Sequence, residues 1–260
     1  MRRVMLVVAY DGTNYCGWQV QNNGETIEGV LNRTLSALLG EEIEVIGASR
    51  TDSGVHALGN VAVFDTDTRI PAEKLSYALN SRLPEDIRIQ RSLEVPEDFH
   101  PRKTDCVKKY EYRILNREFE LPGERLNTYF FRRPLNMENM QAACSYFLGE
   151  HDFKSFCSVN TQAKTTVRTI YSLEVYKAED VIHIRVTGSG FLYNMVRIIA
   201  GTLIQAGLGA IEPEDIVAML EAKNREAAGP TAPAKGLTLL GMDYPALESP
   251  NFSHFTGKSS

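Results

Sequence analysis

Apolar positions along the chain follow two periods, and the order in which those periods alternate is the first sign of architecture. Residues 3–10 form a run rich in Val and Leu that reads as a buried strand, and residues 26–39 set Ile27, Val30, Leu31, Leu35 and Leu38 at helical spacing. Short strands are predicted at 43–46 and 60–64, a helix at 72–83 opened by Pro71, and a further strand at 87–95. The order is β-α-β-β-α-β.

The second half follows the same order. A strand is predicted at 108–115, a helix at 137–147, and a hairpin pair at 168–176 and 181–186. Residues 191–204 read as a helix with apolar ridges at Phe191, Met195, Ile199, Leu203 and at Leu192, Val196, Ala200, Ile204. A second helix at 213–222 and a last strand at 236–242 complete the set. The fold class is therefore α+β, as two related ferredoxin-like halves with antiparallel sheets and a central cleft between them. The expected division is 1–100, 101–245 and a flexible tail at 246–260. A mobile stretch is also expected at 226–235, which is rich in Ala, Gly and Pro.

Composition narrows the classes without choosing among them. With 260 residues, 43% hydrophobic and 23% charged, the chain suits one large or two modest soluble domains. Cys16, Cys106, Cys144 and Cys157 stand singly with no C-x-x-C pair, which suggests neither a zinc cage nor a disulfide framework. The apolar run at 4–9 stops before Asp11, too short for a signal peptide or a membrane span, so the expected location is the cytoplasm.

A formal net charge of −5 means that any nucleic-acid role needs a local basic surface. Residues 100–133 offer one: nine basic residues (Arg102, Lys103, Lys108, Lys109, Arg113, Arg117, Arg125, Arg132, Arg133) against five acidic, with Tyr110, Tyr112, Tyr129, Phe130 and Phe131 interleaved. Basic and aromatic side chains together suit RNA phosphates and bases. A half-buried strand with a solvated face explains the same pattern.

The densest chemical signal is Gly47-Ala-Ser-Arg-Thr-Asp-Ser-Gly-Val-His56, a strand end running into a turn with glycines on both sides. An Asp in such a turn commonly bonds its own backbone, but Arg50 beside Asp52 would hold a carboxylate ionised for chemistry. His56 reads as a hydrogen-bonding turn residue, and Asp65 and Asp67 as turn residues at a strand end. Gly188-Ser-Gly190 precedes a helix, yet Tyr193 stands where a dinucleotide fingerprint needs its third Gly, so a phosphate contact at the helix start is the better reading. Arg197 lies off both apolar ridges, where a solvated arginine is the ordinary occupant.

ASRTDSGVHA at 48–57 closely resembles the motif that houses the catalytic aspartate of the TruA family of tRNA pseudouridine synthases. YDGTNYCGWQVQ (10–21), ALNSRLPEDI (78–87), FHPRKTDCVKKYEYRI (99–114), HDFKSFC (151–157), GSGFLYNMVRIIAGTL (188–203) and APAKGLTL (232–239) fall in the order of that family and cover nearly the whole chain. Ser49 and Ser53 depart from it, standing where Gly and Ala are more usual. The resemblance implies an isomerase in which Asp52 is the nucleophile, Tyr110 packs on the target base, and Arg50 and Arg197 orient the carboxylate or the flipped nucleotide, with Arg197 expected to pair with Asp52. It implies no cofactor and no metal, a tRNA substrate modified at uridines 38, 39 and 40 of the anticodon stem-loop, no membrane partner, and a homodimer. Attack by Asp52 on C1′, attack on C6, and abstraction of a sugar proton to give a glycal all remain open. A non-catalytic RNA-binding protein of the same fold is the alternative from another class. A glycosidase would want a second, matched carboxylate, and none stands out.

Overall fold

The computed structural model describes residues 1–159, 161 and 163–247. The tail expected at 246–260 lies outside the described residues from 248 onward, and the chain just before it closes in a 3₁₀ turn, Pro245–Leu247. The chain forms two compact units, one of Met1–Cys106 with the chain from Leu239, the other Val107–Thr238. The boundary between halves thus falls at 106 where 100 was expected. The chain from Leu239 to residue 245, expected in the second half, groups with the first.

In the first unit β1 (Arg2–Tyr10) pairs antiparallel with both β3 (His56–Thr66) and β4 (Ile87–Val95). Val4, Leu6 and Val8 are wholly buried and Met5 and Val7 nearly so, which is why this central strand reads as an unbroken apolar run. On the far edge of β3, β2 (Ile46–Gly47) pairs antiparallel with Val63 and Ala62, and β10 (Leu237–Asp243) is also a neighbour of β3. α1 (Ile27–Leu39) starts at Thr26, whose hydroxyl accepts the Gly29 N–H at 3.2 Å, and buries Ile27, Val30, Leu31 and Leu35. α2 (Leu75–Asn80) packs on β4. The element order is the predicted β-α-β-β-α-β.

β2 is shorter than expected and β3 much longer, so His56 and Asp65 lie in a strand and not in turns. Asp65 makes a paired contact with Arg3, Nε to Oδ1 at 2.8 Å and Nη2 to Oδ2 at 2.7 Å. That hydrogen bonding holds its carboxyl below the usual range. Asp67 pairs with the terminal amine of Met1 at 2.8 Å.

The second unit carries β5 (Val107–Leu115), β9 (Val181–Gly188), β8 (Val167–Ala178) and β7 (Gly149–Asp152), antiparallel in that order, with β6 (Tyr129–Phe130) parallel to the end of β5. Tyr110, Tyr112 and Ile114 alternate inward on β5, as do Ile182, Ile184 and Val186 on β9. α3 (Met137–Cys144) packs on β8 and on α4 (Met195–Gly207), and α5 (Asp215–Ala222) follows.

α4 begins four residues later than its apolar ridges predict. Asn194 adopts φ 61°, a left-handed conformation that asparagine tolerates, and the helix starts after it. Gly188 therefore ends β9, and neither it nor Gly190 opens the helix.

The stretch 226–235, expected to be mobile, is tied along α4. Gly229 N donates to Thr202 Oγ1 at 3.0 Å, Ala232 N to the Arg197 carbonyl at 3.1 Å, and Tyr112 Oη to the Pro233 carbonyl at 2.8 Å. The approach is close enough that a Cβ on Gly201 would lie 1.8 Å from the Pro230 carbonyl oxygen. Ala within a helix is ordinarily better than Gly by about 1 kcal/mol. Gly201→Ala should nonetheless destabilise the protein, by about 1–3 kcal/mol, because the backbone at Pro230 must move. Urea denaturation decides between the two effects, and an equal or higher midpoint would mean that the segment yields freely.

Candidate active site

Between β2 and β3 the chain leaves the ladder for Ala48–Val55, and its polar backbone groups find partners in β3, in the segment of Trp18 and in a turn of the loop's own. Ala48 N still reaches the Val61 carbonyl at 2.7 Å. Beyond it, Asn60 takes over from within β3. Its Oδ1 accepts the Ser49 N–H at 3.2 Å, and its Nδ2 donates to the Ser49 carbonyl at 2.9 Å and to Tyr10 Oη at 3.2 Å. Tyr10 Oη lies 2.7 Å from Thr51 Oγ1, and Trp18 N donates to the Thr51 carbonyl at 3.0 Å. Asp52 then opens a tight turn in which Val55 N donates to the Asp52 carbonyl at 3.1 Å. Gly54 holds φ 77° at the turn's third position, a region closed to most side chains.

The flank is fastened too. Ser53 Oγ donates to the Tyr15 carbonyl at 3.0 Å, and Tyr15 Oη donates to Asp86 Oδ1 at 2.6 Å. Burial and that bond push the Tyr15 hydroxyl up in pKa, so it stays a donor. Gly12 N donates to His56 Nδ1 at 3.1 Å, and Asp11 Oδ1 lies at the same distance from that nitrogen. A bare Nδ1 accepts from Gly12, an Nδ1 that carries a proton donates to Asp11, and one nitrogen cannot do both at once. Burial raises the Asp11 pKa, but hydrogen bonds from Thr13 and the nearby His56 outweigh it and hold the carboxyl below its ordinary value.

Three of the sequence stretches named above thus converge: Tyr10, Asp11 and Trp18 from the first, residues 48–57 from the second, and Asp86 from the third. On the resulting loop Arg50 is exposed, Asp52 is half-buried, and Thr51 and Ser49 between and before them are buried. The loop presents a carboxylate and a guanidinium while its alternate residues point into the unit. Asn60, Tyr10, Trp18 and Tyr15 were not singled out from sequence. The available signals were a polar residue opening the apolar run at 61–64 and a single tryptophan set one residue after a glycine.

Tyr110 and Arg197 belong to the second unit. Tyr110 is buried on β5, with its ring edge-on to Phe191 at 5.2 Å between centroids. Arg197 sits in the first turn of α4, half-buried, its Nε donating to the Ala232 carbonyl at 2.7 Å and its Nη1 to Asn194 Oδ1 at 2.7 Å. It is an arginine held by a backbone carbonyl and a side-chain amide, not the solvated one that its off-ridge position suggests. The basic stretch at 100–133 is also not one patch. Arg113 pairs with Glu124 at 3.1 Å, Arg117 with Asp180 at 3.6 Å and Arg132 with Glu118 at 4.0 Å, while Tyr110 and Tyr112 are buried. Among the described residues no three His, Cys, Asp or Glu side chains are grouped to hold a metal, and no helix is long and apolar enough to cross a membrane.

Comparison with known proteins places these features in a family. A family model described as tRNA pseudouridine synthase matches residues 6–102 and 143–245. The chain is 50% identical over 244 residues to tRNA pseudouridine synthase A of Thermoanaerobacter sp. (strain X514), covering 94% of this chain and 100% of that one. It is likewise 50% identical over 245 residues to the protein of that name in Ruminiclostridium cellulolyticum, again 94% of this chain and 100% of the relative. Likeness to solved structures is weak: a crystal structure of a Cbf5-Nop10-Gar1 complex matches with TM-score 0.32 and 14% identity, over 91% of this chain and 47% of that one.

Trp18 offers a direct probe of the loop's support. Its ring is buried against the start of the loop, and a Cβ on Gly47 would lie 2.2 Å from its Nε1. Gly47→Ala must displace the indole, so the emission of this single tryptophan should shift to longer wavelength as water reaches it, with a stability loss of about 1–3 kcal/mol. An unshifted spectrum and midpoint would show that the indole and residue 47 do not constrain each other.

Proposed function

The chain belongs to the tRNA pseudouridine synthase family, and on that premise we propose that it isomerises uridines 38, 39 and 40 of the tRNA anticodon stem-loop with Asp52 as the reacting carboxylate. The observation that carries the proposal is the loop itself, since Asp52 stands half-buried on a backbone secured on both sides. In the reaction the N1–C1′ bond breaks, the uracil turns, C5 bonds to C1′, the C5 proton leaves and N1 takes one up. One carboxylate serves both ends of this sequence: ionised at the start, it engages the sugar or the base, and at the end it accepts the C5 proton.

A uridine in a stem must leave its stack at a cost of a few kcal/mol, and stacking on an aromatic side chain offsets part of it. Tyr110 is proposed for that contact, its ring held by Phe191. Arg50 and Arg197 are proposed to bind the substrate, the first from an exposed position and the second already aligned by Asn194 and Ala232. The protein acts as a homodimer in the cytoplasm, without cofactor or metal.

Asp52→Asn keeps the shape of the side chain and removes its charge. Tritium release from tRNA labelled at C5 of uridine should be abolished, while tRNA affinity stays within roughly three-fold. Appreciable turnover by this variant would take Asp52 out of the chemistry and leave an RNA-binding module.

Binding should also weaken with salt despite the net charge of −5. Each phosphate neutralised contributes a slope of roughly −0.7 to −0.9 in log affinity against log salt. Lys108→Gln with Lys109→Gln should reduce both affinity and slope, and an unchanged slope would move the RNA contact elsewhere.

A further inference from the structure

Asn60 is wholly buried in the middle of β3, where an apolar residue would cost nothing and a carboxamide must be satisfied. Its side chain makes two bonds to the loop ahead of Asp52 and one to Tyr10 at the end of β1. It clamps both backbone groups of Ser49, accepting from the N–H and donating to the carbonyl, and this pair fixes which end of the amide is oxygen. Its other N–H goes to Tyr10 Oη, which lies 2.7 Å from Thr51 Oγ1. One buried side chain thereby holds residue 49 directly and residue 51 through one tyrosine, on either side of Arg50 and next to Asp52.

We propose that Asn60 is a positioning residue of the isomerisation, acting with the Tyr10 hydroxyl to hold the Asp52 carboxylate at its reacting atom. The proposal rests on Asp52 as the reacting group. A carboxylate has to arrive within a few tenths of an ångström of its target, and a displacement of about 1 Å can lower a rate roughly hundredfold without touching the chemistry. Substrate affinity, set by other contacts, is unaffected by such a shift.

Asn60→Ala removes the clamp, and Tyr10→Phe removes one hydroxyl while leaving the ring against Trp18, whose centroid is 5.9 Å away. Each is assayed by tritium release below its own melting temperature, with folded protein quantified by circular dichroism. The expected result is a kcat lowered by about 10- to 100-fold for Asn60→Ala and by less for Tyr10→Phe, with KM and tRNA affinity within about two-fold. A merely structural role would lower the melting temperature and leave kcat per folded molecule intact, which would overturn the proposal. So would a raised KM at unchanged kcat. If Asn60→Ala does not fold, Tyr10→Phe alone decides, since its kcat either falls or does not. The premise is judged separately: an active Asp52→Asn removes the premise, whereas an inactive Asp52→Asn beside a fully active, folded Asn60→Ala removes only the role of Asn60.

Discussion

A loop that carries chemistry must leave the sheet, and every buried N–H and carbonyl it takes with it needs a partner off the ladder. Here β2 contributes only Ile46 and Gly47, so the ladder ends almost as it begins. The remaining obligations are met by a side-chain amide from β3, a backbone N–H from Trp18, and a tight turn of the loop's own making. The first two of these partners lie outside the loop in sequence. The loop's geometry is consequently a property of the whole first unit, and segments separated by dozens of residues must be in register before Asp52 is in place.

Close approach is the second condition. Trp18 can lie under the loop's entry only because residue 47 has no side chain. The same logic explains why Ser49 and Ser53, departures from the residues usual in this motif, do no harm. Ser49 is buried and clamped through both of its backbone groups by Asn60. Ser53 adds a bond of its own, to the Tyr15 carbonyl at 3.0 Å, which an alanine would lack.

How much was legible follows from which signals were local. β1, α1 and the hairpin of β8 and β9 were readable because their apolar periods are unbroken over the length of the element. β3 was half missed, since Gly59 and Asn60 interrupt its alternation, and the interruption is the clamp itself. α4 was started too early because its apolar ridges run back through Phe191 and Leu192, while the left-handed turn at Asn194 is set by a backbone angle that no ridge encodes. The stretch at 226–235 has the composition of a flexible linker, yet its small residues are what allow it to lie on α4. Arg50 and Asp52 were visible through their motif. The groups that hold them were not, because a buried amide, a hydroxyl and a backbone N–H acquire their roles only when distant segments meet.

The chemistry of those groups has a further consequence. Asn60, Thr51, the Tyr10 hydroxyl and the peptide groups bonded to them carry no charge near neutral pH, so salt does not screen the bonds among them and ordinary changes in pH do not break them. The titratable side chains of Asp11 and His56 stand at the flank, against Gly12, and not in the bonds to Ser49 and Thr51. A loop held by ion pairs would shift whenever a polyanion such as RNA came near. A loop held by neutral bonds has no charge of its own for an approaching polyanion to compete with, so the backbone beneath Arg50 and Asp52 is insulated from such competition.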